Sequence, residues 1–312
     1  MSHPTLNEDD TKSLGIGYPP PGQASLGPVL VATDGYPAGE AACRAAALVA
    51  ATSSSIVQVL VVVEPLPILL PDPSLTIQPL VVSPALIRAT RDRIAGQLRE
   101  IGPEASDWQV EVEYGRPSNE IVNKARDLNA QLIVIGLVHH GMMDRILDGD
   151  TVQEVVRQCH VPVLLVTPTW KARPTRAVFA VDFSPQSMRA ARAGLRLVGD
   201  GSKIFLVHVR PSVTVFDGMG MWEEEYERAA TRLLGKFAES LNAPSGIEVE
   251  QVTLSGSPSA ALLSFANKTE ADLIVIGTRG LGLIQRILLG SVATRVLRHS
   301  TRSLLIVPDL NE

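Results

Sequence analysis

Cysteine is nearly absent from this sequence of 312 residues, which contains only Cys43 and Cys159. Two cysteines give no disulfide framework, and two buried thiols are the simplest interpretation. Long apolar runs are absent as well. The nearest approach to one, residues 56–70, is interrupted by Gln58, Glu64 and two prolines. It therefore predicts a buried strand followed by a loop and excludes a membrane-spanning helix there.

A surplus of basic residues is also missing, since the formal net charge is -5 at pH 7. A general nucleic-acid binder needs a basic face for the phosphate backbone, so we expect no nucleic-acid partner. Residues 1–27 show no signal-peptide pattern and are polar and rich in proline and glycine. We interpret them as a flexible N-terminal arm and expect a cytoplasmic protein without a membrane partner.

The chain contains an internal repeat at an offset of 141 residues. Residues 132–166 align without gaps with residues 273–307, and 14 of the 35 positions are identical. Near the start of each copy, VLVATDGYP (29–37) is matched with VFAVDFSPQ (178–186). Because 312 residues suit two domains of about 150 each, the repeat predicts a duplicated domain.

Short apolar runs alternate with alanine-rich or amphipathic stretches in both copies, which indicates strands alternating with helices. The predicted strands are 29–32, 56–63, 109–114, 132–135 and 163–166, then 177–181, 204–209, 248–254, 273–276 and 304–307. Continuous Val, Ile and Leu strands are typical of a parallel sheet covered on both faces. We predict an α/β fold of two doubly wound, Rossmann-like domains, at residues 28–168 and 175–312, joined by a linker at 169–174.

The second copy contains a run of small residues directly after its fourth strand. Gly277, Gly280, Gly290 and Ser291 follow a G-x2-G-x9-G-S spacing, and a helix-forming run comes next. Glycine allows close approach of a ligand to the main chain, and a new helix presents unpaired N–H groups. Residues 273–307 contain five arginines and no acidic residue. Together these features predict an anion site suited to phosphate.

This string resembles the ATP-binding signature of the universal stress protein family, in its tandem two-domain form. The resemblance extends from Val29 to Pro308 and implies strand order 3-2-1-4-5. It further implies ATP between strands one and four, with Mg²⁺ or Mn²⁺ bound through the phosphates. The residues implied for adenine and ribose are Ala180, Val181, Asp182 and Val209. Those implied for the phosphates and their surroundings are Ile276, Gly277, Arg279, Gly280, Gly290, Ser291 and Val292.

Plainer interpretations of single residues remain open. Ser291 could be an ordinary helix N-cap, and Asp182 could form an Asx turn before Ser184. Each arginine could lie on a solvated helix face. His208 is interpreted as a semi-buried residue with satisfied hydrogen bonds, and Tyr226 as a helix-packing residue.

The first copy departs from the signature at two of these positions. His139 replaces Gly280, and Asp150 replaces Ser291. The carboxylate of Asp150 would repel a phosphate, and residues 132–166 carry a formal charge of -2. We therefore expect that the first domain does not bind ATP in the family's manner, whereas a ligand without phosphates remains open because Asp34 is kept.

The leading hypothesis is an ATP-binding regulatory module whose second domain holds the nucleotide, whereas the first is structural. Its partners would be ATP and an unidentified protein. The resemblance suggests that the fifth strands of the two copies pair as an internal pseudo-dimer, and that two chains form a homodimer. The alternatives are a nucleotide-independent dimerisation scaffold and, third, a slow ATPase. No motif identifies a catalytic base, so we assign no catalytic residue.

Overall fold

The computed structural model describes residues 27–53, 55–64, 83–137, 149–210, 220–278 and 289–309. The side chains of residues 149–150 and 220–223 also lie outside this description. The expected N-terminal arm falls outside it apart from Gly27. The described residues form a single ten-stranded sheet covered by helices.

Ten strands and nine helices are found in the described residues. The strands are β1 (Val29–Ala32), β2 (Val57–Val63), β3 (Gln109–Tyr114), β4 (Leu132–Gly136), β5 (Val163–Val166), β6 (Arg176–Ala180), β7 (Lys203–Arg210), β8 (Glu248–Ser255), β9 (Leu273–Gly277) and β10 (Ser303–Val307). The helices are α1 (Pro37–Ser53), α2 (Pro84–Ile101), α3 (Pro103–Ser106), α4 (Pro117–Asp127), α5 (Gly149–Gln158), α6 (Pro185–Leu195), α7 (Gly220–Leu241), α8 (Pro258–Lys268) and α9 (Ser291–His299). Each predicted strand end is confirmed to within one residue.

The strand order confirms the predicted fold class. The sheet runs β3-β2-β1-β4-β5-β10-β9-β6-β7-β8, so each half has the order 3-2-1-4-5. All pairs within a half are parallel. In such a sheet the strand order reverses beside the first strand, which leaves a crevice at the carboxyl ends. The crevices lie between β1 and β4 and between β6 and β9.

The two halves join through their fifth strands, as the internal pseudo-dimer predicted. β5 and β10 pair antiparallel, with Leu305 opposite Leu164 and Ile306 opposite Val163. Because this pair is antiparallel, the strands of the two halves run in opposite directions. The two crevices therefore open at opposite ends of the sheet.

The interior strands are buried because they are apolar on both faces. All five residues of β4, LIVIG, are buried, and so are the first four of the identical β9. One apolar cluster on each face of the sheet contains residues from both halves. The seam between the halves is thus part of a common core.

The ladders set the relation between the two copies and correct the alignment at their starts. Val29 lies opposite Leu132, and Ala177 lies opposite Leu273. Val29 therefore corresponds to Ala177. The sequence match of residues 29–37 with 178–186 had paired Val29 with Val178, one residue too late. With this shift, Asp34 corresponds to Asp182. The short apolar segments can be aligned almost equally well in both registers, so sequence similarity alone gave the wrong alignment.

Residues 169–174, which were predicted to be a linker, pack against the rest of the described chain. Trp170 is 5% exposed and belongs to the core cluster. The Arg173 guanidinium donates to the carbonyl oxygens of Arg196, Leu197 and Val198, at 2.9, 3.1 and 2.7 Å. These residues directly follow α6, so Arg173 satisfies acceptors that a helix end leaves unpaired.

Both cysteines are free and buried, which confirms their interpretation. Burial is the main cause that raises the pKa of each thiol to about 12. Both thiols are therefore protonated and unreactive at neutral pH. Among the described residues, no helix has the length and apolar character needed to cross a membrane.

Candidate functional site

The crevice of the second domain opens between β6 and β9. Their ladder ends with Phe179 opposite Val275, whereas the equivalent ladder of the first domain continues one pair further, to Ala32 opposite Ile135. Ala180 and Ile276, the counterparts of that last pair, are therefore not paired with each other. In the second domain the two strands thus diverge earlier by a single residue, at two of the predicted site residues.

Asp182 forms the turn that follows β6. Its Oδ1 accepts hydrogen bonds from the Ser184 main-chain N–H (3.0 Å) and from the Ser184 hydroxyl (2.5 Å). This is the Asx turn considered for Asp182, and it helps to start α6, where Ser184 is the N-cap. No hydrogen bond to Oδ2 occurs within the described portion of the chain. The turn therefore fixes the carboxylate and leaves one oxygen available to a ligand.

The main chain of Val209 faces the same crevice. The Val207 carbonyl accepts from the Val181 N–H on the β6 side, and the Arg210 carbonyl accepts from the Gly256 N–H on the β8 side. Since successive residues of a parallel strand alternate in direction, Val209 must point its N–H and C=O toward β6. β6 ends before reaching it. A donor and an acceptor thus lie side by side, an arrangement that can pair with the edge of a purine base.

The predicted phosphate segment begins at Gly277, the last residue of β9. Thr278 donates its N–H to the Val307 carbonyl at 2.9 Å, and its own carbonyl accepts from the Gly290 N–H at 2.8 Å. These bonds bring the two ends of the segment together, and we call the Thr278–Gly290 pair the neck. Arg279 and Gly280 lie outside the described residues. The Gly290 N–H is already bonded, so it is not a phosphate donor.

Helix α9 starts beside the neck with unpaired donors. Gly290 is its N-cap and contributes no side-chain cap, and the first helical bond runs from Thr294 N–H to Gly290 C=O at 2.9 Å. The N–H groups of Ser291, Val292 and Ala293 have no partner among the described residues. Ser291 is exposed and is the first helical residue. The N-cap interpretation of Ser291 is therefore wrong, and the residue lies at the exposed start of the helix, where unpaired N–H groups and the helix dipole favour an anion.

The glycines of the signature and their first-domain counterparts are explained by more than one physical cause. Gly290 has φ of -59°, so its conformation does not require glycine, and only close approach could. In the first domain, a Cβ on Gly136 would lie 2.4 Å from the main chain of Ala38 in α1. Gly136 is thus needed for packing a helix on the sheet. Gly277 is its counterpart in the second domain.

The arginines of the segment are not all directed at the anion site. Arg298 lies in the last turn of α9, where it contacts Gln153 at 3.4 Å. Arg302 follows α9 and donates to Asn267 at 3.2 Å. Both positions are at the far end of α9 from Ser291, so the solvated-face interpretation holds for them. Arg279 and Arg286 lie outside the described residues, which leaves Arg295 as the described arginine nearest to the first turn.

The first domain keeps the aspartate turn but surrounds it differently. Asp34 Oδ1 accepts from the Tyr36 N–H at 2.9 Å, as in the second domain. From α2, Arg93 donates to the Asp34 and Gly35 carbonyls at 3.1 and 3.2 Å, and Gln97 donates to Gly35 at 2.6 Å. Asp150 is the second residue of α5, where a carboxylate replaces the serine, and His139 lies outside the described residues.

His208 lies beneath the Asp182 turn, in the predicted semi-buried environment. Its Nδ1 is 2.9 Å from the Val181 carbonyl oxygen, and its Nε2 is 2.8 Å from the Tyr226 hydroxyl. The Phe183 ring contacts it in a tilted arrangement, with 4.4 Å between centroids and 35° between the ring planes. Burial is the main cause that lowers the pKa of His208. Sequence reasoning missed the contact with Tyr226, because nothing local relates α7 to β7.

One feature near the site was outside the sequence predictions. Four polar residues, Gln186, Arg189, Thr278 and Asp309, form a hydrogen-bonded network behind the neck. They are separated by up to 123 positions, and no local motif marks them. Among the described residues, no group of three or more His, Cys, Asp or Glu is placed to hold a metal ion.

The fold defines a doubly wound α/β protein with a crevice at the switch point of each half. A model of the universal stress protein family matches residues 26–167 and 174–308. The matched residues cover most of the chain, so the chain belongs to the universal stress protein family and carries two copies of its domain.

Relatives of the family support this assignment. A universal stress protein of Methanocaldococcus jannaschii is 32% identical over 142 residues, covering 42% of this chain and 81% of the relative. One of Thermus aquaticus is 31% identical over 131 residues, covering 42% and 96%. One of Mycolicibacterium smegmatis is 26% identical over 211 residues, covering 64% and 68%.

A solved structure supports the fold over nearly the whole chain. The crystal structure of a universal stress protein from Archaeoglobus fulgidus covers 92% of this chain and 99% of its own, with a TM-score of 0.60 and 21% identity. At this identity the similarity supports the two-domain architecture alone.

Proposed function

We propose that this universal stress protein is an ATP-binding regulatory module and that its second domain holds the nucleotide. The observation that carries the proposal is the set of unpaired N–H groups at the start of α9, beside the crevice between β6 and β9. Helix N-termini favour anions because their donors and dipole point outward. A phosphate chain suits this end of the crevice.

The other groups of the crevice fit the remainder of the nucleotide. The N–H and C=O of Val209 can pair with the acceptor and donor on the edge of adenine, and the free Oδ2 of Asp182 can accept from a ribose hydroxyl. Ala180, Val181 and Ile276 would form the apolar surroundings. No described cluster would hold a metal, so Mg²⁺ or Mn²⁺ would arrive on the phosphates.

The first domain would then be structural. Its equivalent helix has Asp150 at the sequence position of Ser291, and a carboxylate at that position would repel a phosphate. In the proposed regulation, nucleotide binding orders the start of α9 and alters a surface that a partner protein recognises. Assembly of two chains into a homodimer also belongs to the proposal.

A nucleotide-independent scaffold is the second candidate, and one observation favours it. The clash expected at Gly136 shows that a signature glycine can be kept for helix packing alone. The continuous sheet through β5 and β10 also needs no ligand. We assign no hydrolytic step, since no motif identifies a base that would activate the attacking water.

Calorimetric titration of nucleotide-stripped protein with ATP and Mg²⁺ separates these candidates. We expect one site per chain, lost in Ser291→Asp and kept in the matched first-domain variant Asp150→Asn. Two sites per chain would contradict a structural first domain. No binding at millimolar ATP would support the scaffold.

A further inference from the structure

Thr278 is the point where the neck is tied to the strand that follows α9. Besides its main-chain bonds to Val307 and Gly290, its Oγ1 accepts from the Asp309 N–H at 3.2 Å. Thr278 is 7% exposed. The position of the Gly290 N–H, and with it the start of α9, therefore depends on where Thr278 is held.

Asp309 is in turn held by α6. Its Oδ1 lies 2.7 Å from Arg189 Nη2, and the two side chains are only 14% and 20% exposed. Arg189 Nε donates to Gln186 Oε1 at 3.1 Å, and Gln186 Nε2 donates to the Val307 carbonyl at 2.7 Å. Charge-assisted bonds in such a partly buried setting are stronger and more directional than exposed ones. We call Gln186, Arg189, Thr278 and Asp309 the Thr278 latch.

The latch occurs in only one of the two domains. The ladders and the 141-residue offset place four residues of the first domain at the equivalent positions: Ala38, Ala41, Leu137 and Pro168. None of them carries a charge or a side-chain hydrogen-bonding group. The same main-chain bond is still made there, from Leu137 N–H to Val166 C=O at 2.7 Å. The fold itself therefore does not need the latch, which accompanies the anion site.

We propose that Arg189 and Asp309 are positioning residues for phosphate binding. By fixing Thr278, they hold the neck and orient the N–H groups of Ser291, Val292 and Ala293. The Arg189 guanidinium also neutralises the Asp309 carboxylate, which would otherwise weaken the attraction for an anion. This inference rests on the proposed function and identifies the residues that make the second domain competent for phosphate.

The latch predicts an effect on phosphate recognition alone. We expect Asp309→Ala to weaken ATP binding about tenfold, the usual effect of losing one charge-assisted bond, and adenosine binding less than about twofold. The control is Glu270→Ala, which breaks an exposed ion pair with Arg176 in the same domain (3.2 Å). It should change neither affinity. The double variant Arg189→Ala/Asp309→Ala should bind ATP no more weakly than the weaker-binding single variant, because each substitution removes the same Arg189–Asp309 ion pair.

Hydrogen–deuterium exchange of the ligand-free protein gives a readout that does not need nucleotide. Asp309→Ala should accelerate exchange of the hydrogen-bonded Gly290 and Thr294 N–H groups at the start of α9, relative to wild type and to Glu270→Ala. Equal losses of ATP and adenosine binding, or unchanged exchange at α9, would overturn the inference. If wild-type protein binds no ATP, the proposed function fails, whereas the exchange experiment still decides whether the latch holds α9.

Discussion

His208 Nε2 lies 2.8 Å from the Tyr226 hydroxyl oxygen, and this contact joins β7 to α7 beside the Asp182 turn. A carbonyl oxygen only accepts, so the Val181 carbonyl requires the proton on Nδ1. Nε2 of the neutral ring is then an acceptor, and the Tyr226 hydroxyl donates to it. Phe183, with φ of +65°, packs its ring against the same imidazole. This packing offsets the strain of a left-handed, non-glycine residue.

Tyr226→Phe should destabilise the second domain moderately. The variant keeps the ring and removes only the hydroxyl, which leaves Nε2 of a histidine that is 7% exposed without its donor. We expect a loss of about 1 kcal/mol in the free energy of unfolding, measured by urea denaturation. Tyr36→Phe, at a tyrosine that is 51% exposed, is the control and should change it by less than about 0.5 kcal/mol. Equal effects would show that the hydrogen bond contributes nothing.

The lowered pKa of His208 predicts a loss of stability on acidification. Burial opposes protonation of the folded state, although the Val181 carbonyl and Asp182 partly favour it. The unfolded chain takes up the proton near pH 6.5, so this contribution is complete above that pH and decreases as the pH falls toward the lower folded-state pKa. One group changes the unfolding free energy by at most about 1.4 kcal/mol per pH unit.

The variant His208→Val tests the predicted direction of the pH dependence. Valine is the residue at the equivalent position of the first domain, Val61. Urea denaturation between pH 7.5 and 5.5 should show a shallower decline for the variant than for wild type. Parallel curves for the two proteins would mean that His208 titrates alike in the folded and unfolded states.

Much of the fold could be predicted from the sequence because it depends on patterns within short segments. The runs LIVIG, repeated at residues 132 and 273, predicted the fourth strands, and the family resemblance suggested the pairing of β5 with β10. The register at β1 was predicted one residue wrong. Val62 is the counterpart of Val209, since the Leu60 and Val207 carbonyls make equivalent bonds.

The site could be predicted only where a local motif marked it. The aspartate turn and the start of α9 were found from their spacing. The Arg189–Asp309 pair joins residues 120 positions apart, and the His208–Tyr226 contact joins a strand to a helix. Such contacts depend on how elements pack in three dimensions. The five arginines were treated together as positive charge near the anion site. Arg298 and Arg302, however, lie at the end of α9 that is far from Ser291.

Two substitutions at Ser291 should separate the hydroxyl from the main-chain donors. Ser291→Ala removes one hydroxyl from an exposed position, and we expect ATP affinity to fall less than about fivefold, as for a neutral hydrogen bond. Ser291→Asp adds a carboxylate beside the phosphates, and we expect a loss of about 100-fold or more. Aspartate in a first helical turn is favourable for the helix, so α9 should persist. Calorimetric titration gives the affinities, and circular dichroism checks the fold.

Similar losses in both Ser291 variants would indicate that the hydroxyl is the main ligand group. Unchanged binding in Ser291→Asp would place the phosphates elsewhere.

The pairing of Leu164 with Leu305 predicts that both domains unfold together. These residues face each other across β5 and β10, are at most 1% exposed, and belong to one core cluster shared by the two halves. Leu164→Ala should therefore lower the unfolding free energy by about 2–5 kcal/mol and keep a single calorimetric transition. The double variant with Leu305→Ala should deviate from additivity by about 0.5 kcal/mol or more, since the two side chains are in contact.

Leu98→Ala, in the first-domain core away from the seam, is the control for this cooperativity. It should also lower the one transition and leave it single, with calorimetric and van't Hoff enthalpies equal. A control that splits the transition in two would instead show that β5 and β10 join domains that unfold separately. In that case the seam would not transmit a change at the second domain's crevice to the first domain, because the two halves would share contacts without sharing stability.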